Sequence, residues 1–234
     1  LSTDGSGSPD QDMDRVGPVA ANDLTTASSQ TLPATPGQTV VSLGASKDTW
    51  LNSVSTGFNY GVATTFNIDR EGGGVGNERA ILQFDLSSIP VGAIISSAQL
   101  TVTKTGGSTL SQNTGAYRVT NAWSEGTQNG ATGAASWSQR QTGTNWTTAG
   151  GDFNGTAEDT IAVGANAAYT WNLAALVQGW VNGSITNNGI LLASPDAGGD
   201  NSQQFASREN GTAGNRPQLV VTYSTVVFDA TTTV

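Results

Sequence analysis

Few side chains in this sequence are equipped for chemistry. The chain has 234 residues, with no histidine and no cysteine. Ser-His-Asp and Cys-His catalysis are therefore closed to it, as are zinc sites built on imidazole or thiolate. Carboxylates, hydroxyls, amides and aromatic rings remain. In "SPDAGGDNSQQ", Asp196, Asp200 and Asn201 stand beside backbone carbonyls of a glycine-rich loop. All-oxygen donors of that kind suit calcium. "NIDREGGGVGNE", with Asp69, Glu71 and Glu78, is a second such stretch. Neither has a fixed-spacing cation signature, and an ordinary polar loop reads the same way. A carboxylate pair could cleave a glycosidic bond. No spacing singles out such a pair, so the chain reads as non-catalytic. Lys47 or Lys104 could form an internal isopeptide with Asn or Asp.

Aromatic rings are the other resource. Residues 121–156, "NAWSEGTQNGATGAASWSQRQTGTNWTTAGGDFNGT", form a long irregular stretch that carries Trp123, Trp137 and Trp146. Loops of that length are either functional or pinned by their own side chains. As pins, Trp123 and Trp137 are expected to be buried and Trp146 to be the exposed ring. As a platform for stacking on sugar rings, Trp137, Trp146 and Tyr60 are the candidates.

These side chains need elements to hold them. From Thr39 onward strand signals recur between Gly, Asn and Pro: "QTVVSL", "DTWLN", "TTFNIDR", "RAILQFDL", "SAQLTVTK", "GAYRVT", "DTIAV", "AYTWN", "GILLAS", "QQFASR" and "PQLVVTY". Ala80, Leu82, Phe84 and Leu86 alternate with Ile81, Gln83 and Asp85. Period-2 patterning with one polar face predicts an all-β fold of antiparallel sheets packed as a sandwich. "NLAALVQGWVNG" breaks the period. Its apolar residues fall at helical spacing, which predicts one short α-helix near 173–182, with Asn172 as N-cap and Gly183 as stop.

Composition sets the context. Net charge is −9, and the 9 Lys and Arg residues are scattered. Nucleic acid is excluded as a partner because phosphate binding needs basic clusters. No apolar run reaches membrane-spanning length, so no membrane insertion is expected. Charged residues are only 12% and glycine numbers 30, a composition that suits a secreted, loop-rich β-protein. The chain is expected to be extracellular or at the cell surface after removal of a signal peptide. Residues 1–38 read as a Ser/Thr/Gly/Pro/Asp-rich tail, 39–223 as the β-sandwich, and 224–234 as an extra β-segment.

At "NERAILQFDLSSIPVGAIISSAQLTVT" the pattern becomes specific. It resembles the DNRLRE-domain family, and other pieces follow in the family's order. They are "TWLNSVSTGFNYG", "YRVTNAWSEGTQNG", "ASWSQRQTGTNWTTAGGDF", "WNLAALVQGWVNG" and "NNGILLAS…FASREN…RPQLVVTY". The resemblance implies a secreted jelly-roll β-sandwich module, some of whose members resemble alginate-binding carbohydrate modules. It assigns no catalytic residues. Within these motifs Arg79, Asp85, Arg208, Glu209 and Arg216 sit at strand edges. They are expected to tie strand ends together through Arg–carboxylate pairs and Arg forks onto carbonyls.

Two functions are open. The preferred one is a non-catalytic extracellular subunit that self-assembles with copies of itself into a fibre, pilus-like filament or coat. Its link would be "STVVFDATTTV", with Val226, Val227, Phe228, Asp229 and Val234 adding a strand to a neighbour's sheet edge. The alternative is a carbohydrate-binding module that recognises a polysaccharide through loop aromatics.

Overall fold

The computed structural model describes residues 37–70, 76–195 and 201–225. Expectations for residues 1–36, Glu71, Asp196, Asp200, Val226, Val227, Phe228, Asp229 and Val234 lie outside the described residues.

The strands follow the alternating stretches of the sequence. They are β1 (Gln38–Asn52), β2 (Phe58–Asn59), β3 (Thr65–Arg70), β4 (Asn77–Phe84), β5 (Ile94–Gly107), β6 (Gln112–Arg118) and β7 (Ala131–Thr132). Then come β8 (Gln139–Gln141), β9 (Thr144–Asn145), β10 (Asp159–Val163) and β11 (Ala168–Asn172). After the helix α1 (Ala174–Val181) follow β12 (Ile190–Ala193), β13 (Gln203–Ala206) and β14 (Gln218–Ser224). Every pairing among the described strands is antiparallel.

Two sheets face each other. One runs β1–β14–β5–β11, the other β1–β4–β12–β6–β10. β1 belongs to both. Gln38–Gly44 pair with β14, and Ala45–Asn52 pair with β4 across a register shift between Ala45 and Lys47. β13 and β3 join the sheets on the far side, β13 pairing with β5 and β3, and β3 with β4. This is the all-β sandwich the alternation predicts.

The core between the sheets holds Leu82 and Phe84 of β4, Leu100 and Val102 of β5, Trp171 of β11, and Leu219 and Val221 of β14. Helix α1 closes the core with Leu176, Val177 and Trp180. It begins one residue later than the sequence suggests. Leu173 holds the N-cap position, and Asn172 Oδ1 still accepts the Ala174 N–H at 3.1 Å. Gly183 ends it at φ +71, its N–H donating to Trp180 O at 3.1 Å.

One face reads differently from the sequence. The alternation puts Ile81 on a polar outer face, yet Ile81 is fully buried. It joins Leu51, Tyr117, Val119 and Leu191 in a second cluster, which Trp123, Ala135 and Trp146 cover from the loop between β6 and β10. The loop turns the outside of this sheet into a second core.

Candidate functional site

The loop from Thr120 to Ala157 is too polar to hold itself by apolar packing, so single strong contacts fix it. Trp123 is 3% exposed and its Nε1–H donates to Asn188 O at 2.9 Å. Trp146 is 5% exposed and its Nε1–H donates to Ser136 O at 2.8 Å. Both indoles satisfy their one donor inside the protein while their rings fill the second cluster. Trp146 is therefore corrected from exposed platform to buried pin. Trp137 is the partly buried ring of the three, packed against the second cluster. Its indole is held by Gly150, whose backbone at φ +90 lets the ring approach to where a Cβ would stand 2.8 Å from it.

Arg79 links this ring to the next. Its guanidinium lies 4.9 Å from the Trp137 ring centroid and 5.2 Å from that of Phe153, and Nη1–H donates to Gly150 O at 2.7 Å. Burial depresses its pKa somewhat, with Arg70 adding to the effect. Phe153 packs edge-on against Tyr117 at 5.2 Å and remains half-exposed.

Beside Phe153 opens a depression of about 420 Å³, lined among others by Thr120, Asn121, Thr147, Thr148 and Asp152. Asp152 builds its wall. Its carboxylate accepts the N–H groups of Thr147 at 2.9 Å and Thr148 at 2.8 Å, and the Asn121 amide at 2.7 Å. Burial works against its charge, but these donors outweigh burial and hold the carboxyl below the usual range. A second depression of about 230 Å³ shares Thr120 and continues to Arg118, Ser184, Thr186 and Asn188. Thr, Ser and Asn side chains contribute to both linings, beside the apolar surface of Phe153 in the first and Ile185 in the second.

Tyr60 lies elsewhere, at the β2 end of the loop. It stacks on Trp50 with centroids 4.1 Å apart and is half-exposed. Trp137 and Tyr60 are thus accessible in part, and the burial of Trp146 keeps the three from forming one exposed platform.

The strand-edge charges divide. Arg208 pairs with Glu209 at 2.8 Å and makes a fork onto Glu125, at 2.6 Å from Nε and 2.9 Å from Nη2. Arg79 and Arg216 instead donate to carbonyls, Arg216 to Asn210 O at 2.7 Å. Asp85 makes no ion pair among the described residues. It accepts the Ser87 N–H at 2.9 Å in the turn after β4, which lowers its pKa. A short turn satisfies this carboxylate locally, so it ties no strand ends together.

Three carboxylates converge once among the described residues, at Asp48, Glu125 and Glu209. The sequence pattern gives no hint of it, because the three lie on β1, the long loop and the turn after β13. Arg208 supplies the cation here, and its backbone N–H donates to Asp48 Oδ2 at 2.8 Å. Burial pushes the Asp48 carboxyl up to about 8, with Glu209 and Glu125 adding to the shift against the Arg208 N–H. Of the calcium candidates, Asn201 donates its backbone N–H to Asp69 at 3.2 Å, and Glu78 accepts from the Ser202 hydroxyl. Lys104 is buried and donates to Asn166 Oδ1 at 3.0 Å, while Lys47 donates to Trp123 O at 2.6 Å.

Phe153, Thr120, Asn121, Thr147 and Thr148 were not singled out by sequence reasoning. "TTAGGDF" carries a usable signal, an acidic residue placed after a Gly-Gly turn where it can cap two preceding amides.

No curated protein matches the chain. One family model does, that of carbohydrate-binding module family 96, over residues 39–223. This match does not show the DNRLRE family, but it is compatible with the carbohydrate-binding members to which that resemblance points. The match spans the whole sandwich and its loop face, and the chain belongs to carbohydrate-binding module family 96.

Proposed function

We propose that this chain binds a polysaccharide on the face formed by the loop between β6 and β10, across the two depressions that share Thr120. The observation carrying this reading is the pair of hollows, about 420 and 230 Å³, that share Thr120 and set Thr, Ser and Asn side chains beside the Phe153 ring. Sugar recognition uses the same two resources, an apolar ring against the C–H face and hydrogen-bonding groups for the hydroxyls. Trp137 and Arg79 extend the surface beyond Phe153. The family match supports this reading over self-assembly, and assembly through the C-terminal segment has no support among the described residues. An extracellular location belongs to the same proposal.

The test is retardation of the protein in native gels that contain soluble polysaccharides, one at a time. Thr120 is exposed and shared by both hollows, so Thr120→Glu obstructs them without entering either core. Retardation should fall about tenfold, the scale of one or two lost hydrogen bonds, with the melting temperature unchanged. A variant retarded as strongly as the parent on every polysaccharide that retards the parent would overturn this assignment.

A further inference from the structure

The same loop borders a third hollow, of about 410 Å³, lined by Gly57, Thr132, Gly133, Ser138, Gln139 and Thr142. It shares no residue with the two depressions described above. A two-stranded ribbon and a small hairpin frame it. β2 and β7 pair through Phe58 and Thr132, and β8 and β9 through Gln139 and Asn145. The frame is pinned from below. The Ser138 N–H donates to Thr56 O at 2.9 Å, and the Gln139 N–H to Ser136 Oγ at 3.1 Å. Gln139 Oε1 accepts the Gly143 N–H at 3.3 Å, which fixes the amide at the edge of the hollow.

Its chemistry is distinct. Every lining side chain is uncharged, whereas Asp152 and Arg118 border the first surface. Phe58 pairs directly with Thr132, so the two side chains share a face of the ribbon, and the Phe58 residue is 39% exposed. An exposed ring beside three hydroxyls and a carboxamide offers stacking and hydrogen bonds with no charge to satisfy. We infer that this hollow is a second saccharide subsite that takes neutral sugar units. The inference rests on the carbohydrate reading above. A long neutral chain held at both places would bind more tightly than at either alone.

The experiment uses the full chain and three neutral probes, xylan, galactomannan and mixed-linkage β-glucan, with polygalacturonate as an anionic comparison. Thr142→Glu should weaken retardation by the best neutral probe about tenfold, the cost of placing an unmatched charge against neutral hydroxyls. Thr142→Ser should behave as the parent, and Thr120→Glu should keep residual binding that the double variant loses. If Thr142→Glu lowers the melting temperature, the paired truncation Thr132→Ala/Ser138→Ala replaces it, with the same loss expected. Parent-like retardation of these variants on all neutral probes overturns the second subsite and leaves the first intact. A parent that no neutral probe retards also overturns it. Retardation by polygalacturonate that Thr120→Glu abolishes would then preserve the carbohydrate reading. A parent that none of the four retards overturns both.

Discussion

Asp48 sits on β1 with its side chain 1% exposed, facing Glu125, Glu209 and Arg208, with Lys47 next to it in the chain and near Glu125. The fold keeps a proton on this carboxyl up to about pH 8, whereas the unfolded chain releases it near 3.8. Between those values the folded state binds more protons at this site, so the site's contribution to stability is fullest below about pH 4 and falls as pH rises towards 8. The slope for such a group is on the order of 1 kcal/mol per pH unit. Thermal melts from pH 5 to 9 should show this decline, and Asp48→Asn should flatten it. A parent that gains stability over that range would contradict the assignment. The tryptophans make a second residue-scale prediction. Trp146→Ala empties a buried site and should cost about 3–5 kcal/mol in urea unfolding, against clearly less for half-exposed Trp137→Ala. Equal losses would mean that Trp137 is as deeply packed as Trp146.

At the scale of elements, the loop between β6 and β10 is joined to the sandwich by a few long-range contacts. Arg208, after β13, holds Glu125 of the loop, and Lys47 of β1 holds the Trp123 carbonyl. Arg208→Ala would leave three carboxylates facing one another. Because the arginine is 35% exposed, the expected loss is modest, about 2 kcal/mol. The loop should then become more open to protease cleavage, which limited proteolysis would detect. Gly189 is a harder constraint. At φ +92 its Cβ would stand 2.1 Å from Leu82 O, where β12 meets β4. Gly189→Ala should cost roughly 2–4 kcal/mol, read by the same urea melts, because strained backbone and close approach coincide. The strands were legible in the sequence because alternation is local: β10 and β11 fall on "DTIAV" and "AYTWN". β1 read as two strands because Gly44–Ser46 interrupts the pattern, and the structure bridges it with a register shift. The second core was not legible. What covers Ile81 depends on partners distant in sequence, such as Trp123 bonding 65 residues away to Asn188. The hydroxyl-rich hollows were equally hidden, since Ser and Thr abound along the whole chain and give no contrast.

For the whole molecule, the net charge of −9 sets how it meets a glycan. A polyanionic chain is repelled at long range, and salt relieves that repulsion; a neutral chain is indifferent to it. Retardation by neutral polysaccharide should therefore stay constant when salt is raised to about 0.5 M, and a steep loss would point to charge-driven contact. The strand shared by both sheets has a mechanical consequence. Gln38 lies directly opposite Ser224, so the first residue of β1 and the last of β14 are neighbours. Tension applied between these two residues loads the ladder at one end. Its bonds then part in sequence, Gln38 from Ser224 first and Gly44 from Gln218 last, as a zipper opens. Pulled from Gln38 and a point in the far loop such as Gly155, the same strands would be loaded along their length and would have to slide together. Single-molecule stretching should find a lower rupture force in the first geometry. A module built this way would yield early under tension between its ends while the β4–β12–β6 sheet and its covering loop stay folded.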